Sequence, residues 1–136
     1  MVCADISNAA GITPKTAKLL GPAGVALAQN DRADFELLHA SPMLPNGWAL
    51  VGETAKWVPV SANRVASVAL AGDGLEVELR GAAGEQLALS FAHSVELAAG
   101  RAAREGEELP VVTVSCTFPQ SGRLAVAVPA KSCAPV

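Results

Sequence analysis

The chain has 136 residues and a formal net charge of −3, ten Lys and Arg standing against thirteen Asp and Glu. That length holds one hydrophobic core, and the scattered basic residues lack the clustering that displaces counterions from phosphate, which sets nucleic acid aside as a partner. No apolar run approaches the ~20 residues of a bilayer span, so no membrane is expected.

The N-terminus, Met1-Val2-Cys3-Ala4-Asp5, carries an early acid instead of a basic-then-apolar leader, and the cytoplasm or a plastid is the expected compartment. Residues 1–22 are small and polar, punctuated by Gly11, Pro14, Gly21 and Pro22, and read as a weakly structured arm. Within it, Thr13 to Leu20 suits a short helix, with Thr13 as N-cap and Pro14 in first position. Residues 23–136 read as one β domain. Gly24 to Gln29 has the character of a strand, Asn30 to Ala33 of a turn, and Phe35 to Ala40 of a second strand stopped by Ser41-Pro42. Trp48 to Val51 follows the Pro45-Asn46-Gly47 turn. Trp57 to Val60 reads as a short strand that Pro59 confines to an edge or a bulge.

The clearest local signal is Val65–Ala71 and Leu75–Arg80 around Gly72-Asp73-Gly74, whose glycines allow the positive φ of a tight hairpin. Leu75, Val77 and Leu79 alternate with Glu76, Glu78 and Arg80, the mark of one buried and one wet face. Gln86 to Ala92 repeats the pattern with Leu87, Leu89 and Phe91. Residues 97–109 are charged and glycine-interrupted and read as an exposed loop with a turn of helix. Val112 to Phe118 and Leu124 to Val128 read as a final hairpin across Pro119-Gln120-Ser121-Gly122. About seven to nine short strands without regular intervening helices point to an all-β, antiparallel β-sandwich. Aromatics are only 4% of the chain and tyrosine is absent, so Val and Leu must build most of the core.

Catalytic chemistry lacks parts. There is no Gly-x-Ser-x-Gly elbow, and His39 and His93, each at a strand end, come with no sequence-evident partner. Glu76 and Glu78 lie about 7 Å apart on one strand face, but a carboxylate pair for glycoside hydrolysis also needs a facing wall. Asp31, Asp34 and Glu36 cluster beside a turn without the tight alternation of a calcium loop. Cys3, Cys116 and Cys133 match no zinc or redox spacing. Cys116, in an apolar strand, reads as a buried free thiol. A Cys3–Cys133 bridge is the alternative to fully reduced thiols. No metal and no cofactor are expected.

Trp48 and Trp57 are the residues with most functional interest. An exposed tryptophan stacks on the apolar face of a sugar ring, and Asn46 and Glu53 are close in sequence as polar partners. Trp48 suits the core, which is short of aromatics, better than a stacking role, whereas Trp57, beside Pro59 on an expected edge, suits either. These four residues form the candidate ligand site.

The run from Phe35 through Ser41-Pro42-Met43-Leu44-Pro45-Asn46-Gly47-Trp48 to Gly52-Glu53 resembles the C-terminal β-sandwich of raffinose synthase and alkaline α-galactosidase-like (seed-imbibition) glycoside hydrolases. Leu75 to Gly81 and Gly122 to Pro129 follow the strand order of that domain. Leu50-Val51-Gly52-Glu53 departs from that family's proline-isoleucine-glycine-leucine run. The resemblance implies a non-catalytic accessory domain of a carbohydrate-active enzyme, with catalytic aspartates on a separate barrel and a supporting role in sugar binding. A structural or interaction module, joining a parent enzyme domain or another protein through an edge strand or an apolar face, is the alternative.

Overall fold

Alternating apolar side chains decide which face of a strand is buried; the computed structural model describes residues 2–5, 16–21, 38–104 and 106–136, and these hold ten strands. They are β1 (Val2–Asp5), β2 (Thr16–Leu19), β3 (Leu38–Ser41), β4 (Trp48–Gly52), β5 (Val65–Ala71), β6 (Gly74–Arg80), β7 (Gln86–His93), β8 (Glu108–Thr117), β9 (Arg123–Val128) and β10 (Ser132–Pro135). A single helical turn, α1 (Val95–Ala98), follows β7 and is capped by the Ser94 hydroxyl, which accepts from the Leu97 N–H. Every pairing is antiparallel. One sheet has the order β3-β1-β2-β8-β7-β4 and the other β10-β9-β6-β5, so the expected all-β sandwich is the fold.

The main core lies between the sheets. Leu75, Val77 and Leu79 from β6 and Leu124, Val126 and Val128 from β9 meet Leu87, Leu89 and Phe91 from β7 and Val114 and Cys116 from β8. Trp48 and Leu50 of β4 complete it. A second, smaller cluster sits behind the first sheet, where Ala49 and Val51 of β4, Ala92 of β7 and Leu109 of β8 meet Ala17 and Leu19 of β2. β4 is therefore buried on both faces along its whole length, which explains why its sequence runs apolar without alternation.

Several expectations need correction. Thr16–Leu19 is a strand, not the end of a helix, because its pairing with β8 and the burial of Ala17 and Leu19 override the helix preference of so short a piece. The described parts of the arm are thus built into the first sheet. Trp57 to Val60 is no strand. The loop it belongs to closes on itself, the Glu53 N–H donating to the Pro59 carbonyl at 2.9 Å and the Lys56 N–H to the Glu53 carbonyl at 3.0 Å. Gly52 at φ +99° permits that closure, since a Cβ there would stand 2.4 Å from the Pro59 oxygen. Gly24 to Asn30, Asp31, Asp34 and Glu36 lie outside the described residues.

β5 and β6 form the expected hairpin, with Gly72 at φ 61° in a two-residue turn. β8 and β9 do not pair as a hairpin. They lie in opposite sheets, and residues 118–122 arch between them. The β6–β7 connection crosses in the reverse direction alongside: the Gly81 N–H donates to the Gly122 carbonyl, the Phe118 N–H to the Glu85 carbonyl, and the Gly84 N–H to the Phe118 carbonyl, each at 2.9 Å. An arch lets both strands turn their apolar faces toward one core from opposite sides, which a flat hairpin cannot do.

The free-thiol reading of Cys116 is also overturned, as is a Cys3–Cys133 bridge. Cys116 on β8 is disulfide-bonded to Cys133 on β10, with Cα atoms 6.0 Å apart, so the bridge joins the two sheets. It closes a separation of 17 residues, for which chain-entropy arguments give about 3 kcal/mol. Cys133→Ser is expected to lower the urea-unfolding free energy by about that amount, and reductant should bring wild type down to the variant. Equal stability of oxidised wild type and Cys133→Ser would contradict the bridge.

Candidate functional site

The residues proposed from sequence do not converge on one site. Trp48 is buried at 4% exposure in the main core. Its ring stacks on His93 with centroids 4.2 Å apart, meets Phe91 edge-on, and its Nε1–H donates to the Asp73 carbonyl at 2.9 Å. Asn46 is occupied as well. Its Nδ2 donates to the Gly74 carbonyl at 2.7 Å, and its Oδ1 accepts from the Trp48 N–H at 3.4 Å. Both residues tie the 45–48 turn to the β5–β6 hairpin, and the buried Trp48 offers no stacking face.

Glu53 is buried at 6% exposure, where a lone carboxylate would be costly. Arg64 satisfies it. The Arg64 Nε donates to Glu53 Oε2 at 3.0 Å and Nη2 reaches Oε1 at 3.5 Å. The other side of the guanidinium grips Glu85, Nη1 donating to Oε2 at 3.0 Å and Nη2 to Oε1. Nη1 also donates to the Arg80 carbonyl, and the guanidinium lies 5.1 Å over the Phe118 ring. Lys56 adds a second cation, 3.0 Å from Glu53 and 3.8 Å from Glu85. Two carboxylates and two cations leave the cluster neutral, and the planar fork of arginine makes it specific. Arg64 carries no local signal of this role, since neither Glu53 nor Glu85 is its neighbour in the chain.

The clamp fixes the ends of the 53–64 loop, and the loop displays Trp57 at 73% and Val58 at 63% exposure. Of the four candidate residues only Trp57 presents itself outward. A groove of about 680 Å³ opens at the base of the same loop, lined by Lys56, Gln86, Ala88, Ser115, Thr117 and Cys133 among others.

His39 is hydrogen-bonded to the buried Ser41, Nε2 to Oγ 2.9 Å, beside an apolar cavity of about 290 Å³ lined by Leu44, Leu50, Val60 and Val68. Burial lowers the pKa of His39, and of His93, where nearby Asp73 opposes the effect. No carboxylate among the described residues is hydrogen-bonded to either ring, so no described side chain serves as an orienting third group for the His39–Ser41 pair. No three metal-ligating side chains among the described residues converge to hold a metal ion. Glu76 is exposed, and Glu78 is ion-paired with Arg123 of β9 on the same sheet. No family model, curated protein or solved structure matches the chain.

Two outcomes follow. The hydrogen bond from Arg64, then that from the Ala82 N–H, holds the Glu85 carboxyl down to about 2 against an ordinary 4.5. A folded-state pKa below the unfolded one gives stability that is complete above about 4.5 and is lost as pH falls toward about 2. Urea midpoints measured across that window should fall less steeply in Glu85→Gln than in wild type; parallel slopes would contradict the ion pair. Separately, Trp57→Phe, which leaves Trp48, should emit in the blue and resist acrylamide quenching. Trp48→Phe, which leaves Trp57, should emit in the red and be quenched.

Proposed function

We propose that this chain is a non-catalytic β-sandwich module that works by contact with another protein, using the Trp57–Val58 loop as its working surface. The observation that carries the reading is the pairing of two large exposed apolar side chains with a clamped loop. A tryptophan held on a fixed scaffold loses little conformational entropy on binding, the property that makes this residue a frequent anchor of interfaces. The internal contacts of Asn46, Trp48 and Glu53 support the same reading, because they engage three of the four residues that would have formed a sugar site around Trp57.

The accessory domain of a carbohydrate-active enzyme is the second reading, and the exposure of Trp57 is what favours it. The sandwich suits the raffinose synthase and α-galactosidase-like setting that the sequence resembles, where such a domain covers the flank of a catalytic barrel. No helix among the described residues is long and apolar enough to cross a membrane. The Cys116–Cys133 bridge favours an oxidising compartment over the cytoplasm, since disulfides persist where thiols are not kept reduced.

Fluorescence titration with galactosides and other oligosaccharides separates the two readings. A contact module gives no response at millimolar sugar, whereas a saturable response that disappears in Trp57→Ala would establish the sugar-binding form. A photo-crosslinking side chain placed at position 57, in cells that express the protein, should yield a discrete protein adduct that the same group at exposed Val95 does not. Identical adducts from both positions would overturn the assignment of this loop.

A further inference from the structure

Strand edges are where a β protein leaves backbone donors and acceptors unpaired. β10 closes one end of the second sheet with only four residues and finishes on Pro135, which has no N–H to offer. β5 closes the other end with seven residues and, among the described residues, pairs with β6 alone. Its sequence, Val-Ala-Ser-Val-Ala-Leu-Ala, contains neither a charge nor a proline, two devices that block pairing at an edge. Val68 and Leu70 are 42% and 53% exposed, although they share a face with the fully buried Val77 and Leu75. The strand overhangs the sandwich.

The hairpin turn decides which backbone groups are available. Closing a two-residue turn makes Ala71 and Gly74 a hydrogen-bonded pair, so Ala71, Ala69 and Ser67 direct their N–H and C=O groups toward β6. Val68 and Leu70 therefore direct theirs outward, and they are the same two residues whose side chains are exposed. A bulge between Val65 and Ser67 ends the regular stretch.

We propose that β5 pairs antiparallel with β5 of a second copy, about a two-fold axis through Ala69, to give one continuous eight-stranded sheet. The strand fits itself. Val68 stands opposite Leu70 of the other copy and Leu70 opposite its Val68, so the outward backbone groups pair and both exposed side chains are covered. On the other face Ala69 meets Ala69, and Ser67 meets Ala71. No charge faces a like charge. Glu76 of the next strand comes no closer to its counterpart than three strand spacings, about 14 Å, beyond the ~8 Å over which charges act at physiological salt. So small a contact falls at the weak end of specific interfaces, and a dimer with Kd in the micromolar range is expected. The inference rests on β5 and is independent of the Trp57 loop.

Sedimentation equilibrium of the oxidised chain from micromolar to millimolar concentration tests it. Wild type should move from monomer to dimer. Ala69→Lys and Ala69→Glu alter an exposed position on the solvent face of the hairpin, yet place like charges face to face at the axis. Each alone should stay monomeric, and an equimolar mixture of the two should dimerise again. Val95→Lys, on α1, should behave as wild type. A wild type that stays monomeric throughout, dimers that persist in both Ala69 variants, or a mixture that fails to associate would each overturn the pairing. Dimerisation lost in Trp57→Ala but kept in the Ala69 variants would move the interface to the loop and overturn it equally.

Discussion

Arg64 is the point at which the separate parts of this sandwich are tied together. Its guanidinium takes Glu53 from the end of β4, Glu85 from the crossover between sheets, the Arg80 carbonyl from the end of β6 and the ring of Phe118 from the end of β8. No other side chain described here joins so many elements by directed bonds. Besides Arg64, the 53–64 loop is held by the Glu53–Pro59 backbone bond, by the Arg80 Nη1 donating to the Ala62 carbonyl and by the Lys56–Glu85 pair. With both ends fixed, its exposed Trp57 and Val58 become a surface of defined shape, and the burial of Glu53 turns from a cost into a constraint.

What could be read from sequence divides along the range of the forces involved. The β5–β6 hairpin was legible because Gly72-Asp73-Gly74 and the Leu75-Val77-Leu79 alternation are local signals. β7 was legible for the same reason. Alternation in β8 and β9 identified two strands but could not tell a hairpin from an arch, since both present apolar residues at every second position. The difference lies in the crossover bonds among Gly81, Gly84, Phe118 and Gly122, which link distant parts of the chain. In β2, Ala, Lys and Leu favour helix in isolation, and the pairing with β8 decides otherwise.

The candidate site was less legible than the fold, and for a reason that follows from the same distinction. Trp48, Asn46 and Glu53 looked like a cluster because they are near one another in sequence near Trp57. In the structure each is claimed by a remote partner: Asp73 and His93 for Trp48, Gly74 for Asn46, Arg64 for Glu53. The Cys116–Cys133 bridge belongs to the same class, joining strands of opposite sheets whose nearness no spacing rule announces. Among the described residues, the exposed features include the Trp57–Val58 loop and the uncharged edge of β5. Both are the surfaces on which the proposed contacts would form.

The clamp is tested most directly by amide hydrogen exchange on wild type and Arg64→Met. The Glu53 N–H, bonded to the Pro59 carbonyl, and the Lys56 N–H, bonded to the Glu53 carbonyl, report the closed neck of the loop. In Arg64→Met these two amides should exchange much faster, while Val77 and Val126 in the core keep their protection relative to global unfolding. Unchanged protection at Glu53 and Lys56 would mean that the loop holds its shape without Arg64, and would contradict the account.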